Sequence, residues 1–438
     1  MSDKQLIRGA VHHFPVATND YHTDIEQFRD GALLIEAGKI AATGEYQALR
    51  VLHPDASVTD YRDCLILPGF IDTHLHFPQT EIIAKYGEQL LTWLDNYTFP
   101  AEQQFSDEDY ATKMADVFLT ECLKNGTTTG MVYTSVHKAS AEALFHAASE
   151  RNMLTIAGKV CMDRHCPDWL QDTAATAQAD SAALIDAWHG KGRNYYALTP
   201  RFAPTSTPAQ MAALGELAQQ YDDVFIQTHL SENHDEIAWV NTLYPDCEDY
   251  LAVYEKYHMV RKRAVFGHCI HLSDSEWQRM GAQGAIAAFC PTSNLFLGSG
   301  LFDMAKANQF NVPVTLATDV GGGTSFSMLK TLGEAYKICQ LKQYKLSALE
   351  GLYKLTQGAA VSLGLSDKIG NFNTGSDADF VVLNPRFDTL TSLRVDDPTS
   401  AEDALFALTM LGDDRATVAT WVAGKPVYQK QECSDALA

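Results

Sequence analysis

Eight short apolar runs recur along the middle of this chain, each followed by a longer stretch of helical period: GFIDTHLHF, TTTGMVYTS, TIAGKVCMD, YYALTPRF, DVFIQTHLSE, AVFGHCIHL, GAIAAFCPTSN and PVTLATDVGGG. Strands separated by helices cannot pair as hairpins. They form a parallel sheet, and eight of them close into a (β/α)8 barrel of the TIM type, an α/β fold. The connector DEDYATKMADVFLTECLK, residues 107–124, shows the helical half of the unit. Met114, Val117, Phe118 and Cys122 recur near the helical period and are expected on its buried face, and Asn125-Gly126 supplies a stop. A doubly wound open sheet is the alternative, but no Gly-x-Gly-x-x-Gly turn follows a strand, and GGGT at 321–324 is not a P-loop.

The two ends read differently. DGALLIEAGKIAATG is two apolar stretches around Gly38-Lys39, a hairpin signal, and DADFVVLNP and TVATWVAGKPVY repeat it near the other end. The expected organisation is a barrel over residues 67–372, with 1–66 and 373–438 forming the two parts of a small β-sandwich domain.

A formal net charge of −22 over 438 residues opposes binding to nucleic acid or anionic membranes, which need a cationic surface, so neither is an expected partner. The start, MSDKQLIRGAVHHF, lacks a basic segment followed by an apolar one, and no run approaches the length of a membrane span. Nine cysteines without a Cys-x-x-Cys pair suit a reduced compartment, so a cytoplasmic location is expected.

In a barrel of this kind chemistry sits at the C-terminal ends of the strands. There the runs carry His74 and His76 on the first, Arg201 on the fourth, His229 with Glu232 on the fifth, His268 on the sixth and Asp319 on the eighth. With 15 histidines, about half a His-x-His pair arises by chance, so the first pair counts only with partners. Taken singly, a strand histidine is more often packed than functional. Together these residues are metal-ligand and acid/base types at converging positions, and they include Asp319, a carboxylate that would be costly to bury unpaired.

The remaining histidines are weaker candidates. His12 and His13 in the N-terminal segment, and His137, His146, His165, His189 and His258 in connectors, are expected to be solvated or capping. His271 stays ambiguous. His234-Asp235-Glu236 matches the His-x-Glu of the cytidine-deaminase class, but no Pro-Cys-x-x-Cys completes that zinc site.

PGFIDTHLH followed by His229, His268 and Asp319 resembles the amidohydrolase superfamily, whose barrel binds one or two divalent metals. FPQ, YGEQLLTWLDNYTFPAE, NGTTT, TPRFAPTS, THLSEN, CPTSN and LGSG together are similar to its guanine-deaminating branch. The resemblance implies that His74, His76, His229 and Asp319 hold one divalent ion, zinc first, although three histidines and an aspartate also accept iron or manganese. It implies that His268 lies beside the metal and orients water. Two-metal relatives place a carboxylated lysine at the end of strand four, where this chain has Arg201; Lys159, midway along strand three, is expected to be structural. The implied small-molecule partner is guanine, with xanthine and ammonia as products, and the implied assembly is a homodimer. The matching substrate positions are His76, Gln79, Arg201, Phe202, His229, Glu232 and Asp319.

The chemistry fits those residues. Neutral water attacks the amidine carbon C2 of guanine slowly, and a divalent metal lowers the pKa of bound water from about 15.7 to about 7. Asp319 can accept the proton of water, and Glu232, three residues beyond His229, can shuttle a proton to ring nitrogen N3 and later to the leaving ammonia. Its alternative role is to cap the helix NHDEIAWV. Arg201 has the planar fork that pairs with guanine O6 and N7, or it is a structural ion pair; Gln79 can donate and accept at another edge. Phe77 and Phe202 flank these groups and are candidates for lining the flat base, and Trp93 is a further pocket candidate. A hydrolase of a related heterocycle (8-oxoguanine, cytosine or a triazine) would share the metal but not Arg201 with Gln79. A non-catalytic barrel would lack ligands, and none of the matched ones is missing here.

Overall fold

A computed structural model describes residues 4–396 and 401–431. Four N-terminal strands, β1 (Gln5–His13), β2 (Glu26–Glu36), β3 (Lys39–Glu45) and β4 (Ser57–Pro68), lead into the barrel strands β5 (Phe70–His76), β6 (Thr127–Tyr133), β7 (Leu154–Gly158), a two-residue β8 (Val160–Cys161), β9 (Asn194–Pro200), β10 (Phe225–Leu230), β11 (Ala264–His268), β12 (Ile286–Phe289) and β13 (Val314–Leu316). Three more, β14 (Phe380–Leu383), β15 (Thr417–Val422) and β16 (Lys425–Gln429), follow it.

The strands β5, β6, β7, β9, β10, β11, β12 and β13 pair in that order, all parallel, with β8 beside β9. The seam between β13 and β5 is bridged through backbone and side chains. Asp319 N donates to His74 O at 2.9 Å, Thr73 and Thr315 hydroxyls meet at 2.7 Å, and Asp72 accepts from Thr318 N and Oγ1. At the opposite end, residues near the strand starts such as Leu154, Phe225, Val265 and Ile286 cluster with Ala359, Ala360 and Leu363 of the helix Gln357–Leu363, which closes the barrel floor. The open end is therefore the one where the strands finish.

The two chain ends do meet. β16, β15, β14, β4, β1, β2 and β3 form one mixed sheet in that order, in which only β1 and β4 are parallel. The β2–β3 hairpin turns at Ala37 (φ 52°) and Gly38 (φ 79°), a left-handed pair of the type I′ turn that matches strand twist. The C-terminal segment also contains the helix Ala401–Leu411, whose Leu405 and Leu408 join the core cluster that includes the barrel's outer helices.

The connecting helices follow local rules. The helix Glu108–Lys124 is capped by the Asp107 side chain, which accepts from Tyr110 N, and ends at Asn125 before Gly126 (φ 80°). Its buried face carries Met114, Phe118 and Cys122, but Val117 is 41% exposed. The i, i+4, i+8 row fixes the buried stripe, and Val117 falls outside it. His12 and His13 are not solvated: both lie in β1, and His13, 2% exposed, accepts from Phe372 N and faces Glu26. Burial pushes His12 down to about 4. Among the described residues no helix is long and apolar enough to cross a membrane.

Candidate active site

Strand ends supply the cluster. His74 and His76 come from β5, His229 from β10, His268 from β11, and Asp319 lies three residues past β13. Asp319 Oδ1 is 3.5 Å from His74 Nε2 and 3.3 Å from His76 Nε2, and its Oδ2 is 3.7 Å from His268 Nε2. His229 Nε2 is 3.2 Å from His76 Nε2. Ser231, His268, Cys269 and Asp319 all adopt φ between 50° and 70°, so non-glycine residues hold the costly left-handed region just where the site is built. Gly267 is required there for space, because a Cβ would lie 2.5 Å from His74 Cε1.

The arrangement fits a cation. His229 Nδ1 donates to the carbonyl of Arg201 at 2.7 Å, which leaves the Nε2 lone pair turned toward His76. That lone pair and His76 Nε2, 3.2 Å apart, are close enough to share a metal. Neither ring nitrogen of buried His74, nor Nδ1 of His76, has a hydrogen-bond partner among the described residues. Ligand atoms of His74, His76 and His229 lie within 4.8 Å of one another, as do those of His74, His268, Cys290 and Asp319. Burial holds His76 down to about 3 and His229 well below its ordinary value, so both are neutral, as ligands must be. For Asp319, burial opposes ionisation, but the facing imidazoles of His74 and His76, 3.5 and 3.3 Å away, hold its carboxyl well below the usual carboxylate range.

Glu232 is the contrasting carboxyl. It is 2% exposed, accepts from Ser299 Oγ at 2.8 Å, and lies 3.3 Å from His268 Nε2. Burial, reinforced by the Asp319 charge, pushes it up to about 8. It does not cap the following helix: Asn233 and Glu236 make that capping box, and Glu236 accepts from the backbone of both Glu232 and Asn233. One carboxyl is thus kept protonated at neutral pH and one ionised, with His268 between them.

The cavity beside this cluster is lined by His76, His229, Glu232, His268 and Asp319 and, on its other walls, by Gln79, Arg201 and Phe202. Leu90, Trp93, Leu94 and Leu297 supply the apolar surface. Arg201 Nη1 donates to both oxygens of buried Glu102, at 2.7 and 2.9 Å, so the structural ion pair exists at a residue that also lines the cavity. Gln79 Nε2 donates to Glu102 at 3.3 Å and its Oε1 accepts from Gly321 N at 3.2 Å.

Some sequence candidates fall elsewhere. Phe77 packs edge-on against Phe105 at 4.8 Å in the main core and does not line the cavity, because the 3-10 turn after His76 directs Gln79 inward instead. Lys159 pairs with Asp172 in a buried ion pair. His271 faces Ser299 O at 2.8 Å, outside the cluster. Sequence reading missed Glu102, Cys290, Asn294 and Ser299. Cys290 and Asn294 belong to the CPTSN run, so the strand-end rule pointed to their neighbourhood; nothing in the spacing around TFPAEQQ marks Glu102.

Comparison with known proteins identifies the family. Residues 65–427 match the family model described as the amidohydrolase family. The chain is 52% identical over 402 residues to guanine deaminase of Escherichia coli (strain K12), covering 92% of each chain. It superposes on a solved E. coli guanine deaminase with a TM-score of 0.96 at 49% identity, covering 98% of this chain and all of that one. A C. acetobutylicum guanine deaminase solved with bound guanine in the active site aligns with a TM-score of 0.88 at 29% identity, over 97% of this chain and all of that one.

Proposed function

The chain belongs to the guanine deaminases of the amidohydrolase family, hydrolases that act on a C–N bond, and from that premise we propose which of its residues carry the reaction. The observation that carries the assignment is a single cavity lined both by His76, His229 and Asp319 and by Arg201 and Gln79, metal-ligand types on one side and purine-edge groups on the other.

His74, His76, His229 and Asp319 would hold one divalent ion, zinc first. When bound, the ion supplies Lewis acidity that makes water acidic enough to attack at neutral pH. Arg201 presents its guanidinium to O6 and N7 of guanine, Gln79 reads a second edge, and Phe202 lies along the base. Asp319, held ionised, takes one proton from water as the oxygen adds to C2. Glu232, held protonated, gives its proton to N3 in the same step. Glu232 then takes the proton of the new C2 hydroxyl and passes it to the departing amine, so ammonia leaves and the 2-oxo group of xanthine forms. The proton on Asp319 returns to Glu232 across His268, whose Nε2 faces both carboxyls.

The reading also includes a cytoplasmic role in purine metabolism and a homodimer, both supported by the family resemblance. The division into 1–66, 67–372 and 373–438 is supported by the shared terminal sheet. The test is xanthine formation from guanine by the purified protein, with and without a chelator, alongside 8-oxoguanine, cytosine and a triazine. Chelator-sensitive turnover of guanine in preference to the others is expected; preference for another heterocycle would reject the substrate assignment.

A further inference from the structure

Glu102 is fully buried and lies in the short helix Phe99–Gln103, outside the barrel strands. Removing a carboxylate from water costs several kcal/mol unless its oxygens find partners. Among the described residues its side chain has two, Arg201 Nη1 and Gln79 Nε2, and these are the two side chains that the proposed function assigns to the purine edge.

We propose that Glu102 is a positioning residue that sets selectivity for a 6-oxo purine. The inference rests on the guanine reading of the site. By engaging both oxygens with Nη1, Glu102 fixes the plane of the Arg201 guanidinium while its Nε and Nη2 protons have no acceptor among the described residues. Phe99, one turn earlier on the same helix, lies 5.7 Å from that guanidinium. Glu102 also sets the orientation of Gln79. The Gly321 N–H points at Gln79 Oε1, and the opposite amide orientation would bring that oxygen against the Glu102 carboxylate. One buried carboxylate therefore holds a cationic donor for O6 and an oriented amide, and joins both to the loop that carries Asp319. A group pinned in this way donates to the O6 carbonyl and meets a 6-amino group donor to donor, a mismatch that leaves buried polar groups unpaired.

The test uses the full-length metal-loaded protein with guanine and with 2,6-diaminopurine, which keeps the 2-amino group but carries an amine in place of O6. Glu102→Gln is expected to raise KM for guanine about tenfold or more with kcat much less affected, and to lower the guanine preference in kcat/KM by a similar factor, with metal content unchanged. Glu102→Asp, which keeps the charge, should restore most of the preference. If Glu102→Gln does not fold, Glu102→Asp carries the test, with an intermediate rise in KM expected. An unchanged KM and preference in the variant that folds would overturn the proposal, as would loss of kcat and metal together at constant KM. If the wild type releases no xanthine, the guanine reading fails and this proposal falls with it. If the wild type is active and the variants match it, only the role of Glu102 fails.

Discussion

Glu232 Oε2 lies 3.3 Å from His268 Nε2 across the ends of two neighbouring strands, β10 and β11. His268 Nδ1 donates to Asn294 Oδ1 at 2.9 Å, which fixes the ring with Nε2 turned to Glu232. Burial and the Asp319 charge raise the Glu232 carboxyl to about 8, so it holds a proton it can give.

Replacing that proton donor isolates its role. Glu232→Gln keeps the side chain's size and its acceptor for Ser299, so the metal content should stay at the wild-type level while turnover falls by about 10²-fold or more. Near-normal xanthine formation would remove Glu232 from the mechanism.

The same carboxyl has a thermodynamic signature. Its folded-state value, about 8, lies above the ordinary 4.5. Between these values the unfolded chain has lost a proton that the folded chain keeps. The neutral group therefore favours folding below pH 4.5, and this contribution is lost as pH rises to about 8. In chelator-stripped protein the urea midpoint of the wild type should drop more steeply across this window than that of Glu232→Gln; parallel curves would contradict the raised value.

Metal content separates the histidines. His229→Ala removes a proposed ligand and should leave purified protein largely free of divalent metal by elemental analysis. His268→Ala should retain about one ion per chain while losing turnover, because His268 acts on protons and water. Loss of metal from His268→Ala to the same extent would make it a direct ligand.

Lys159 offers a control for structural buried charge. Neither Lys159 nor its partner Asp172 lines the cavity, and breaking such a pair costs about 3–5 kcal/mol because one charge is left buried. Lys159→Met should lower stability in denaturant titration yet leave KM for guanine unchanged in the folded fraction. A change in KM at unchanged stability would give Lys159 a functional part.

Much of this site was legible because it obeys local rules. Short apolar runs alternating with stretches of helical period named the barrel, and the strand-end rule then selected His74, His76, His229, His268 and Asp319 without any knowledge of contacts. The same rules misplaced Phe77 and Val117, since the direction of a side chain in a 3-10 turn or at the margin of a helical stripe depends on what packs against it. His12 and His13 were misread for a related reason: their segment looks polar, but pairing with β2 and β4 buries it.

The sequence by itself determined the architecture and the candidate residues at its strand ends, because hydrophobic periodicity decides which segments become strands, and parallel strands in a barrel bring their ends together; the family resemblance then implied which of them are ligands. What the tertiary structure decided is how those groups differ in state. Glu232 and Asp319 are both buried carboxyls, and burial raises both, but only at Asp319 do the facing His74 and His76 outweigh it, so one rises and the other falls. Arg201 is at once ion pair and cavity wall because Glu102, 99 positions earlier, is folded against it. Protonation and orientation depend on neighbours supplied by distant parts of the chain, and no local pattern encodes them.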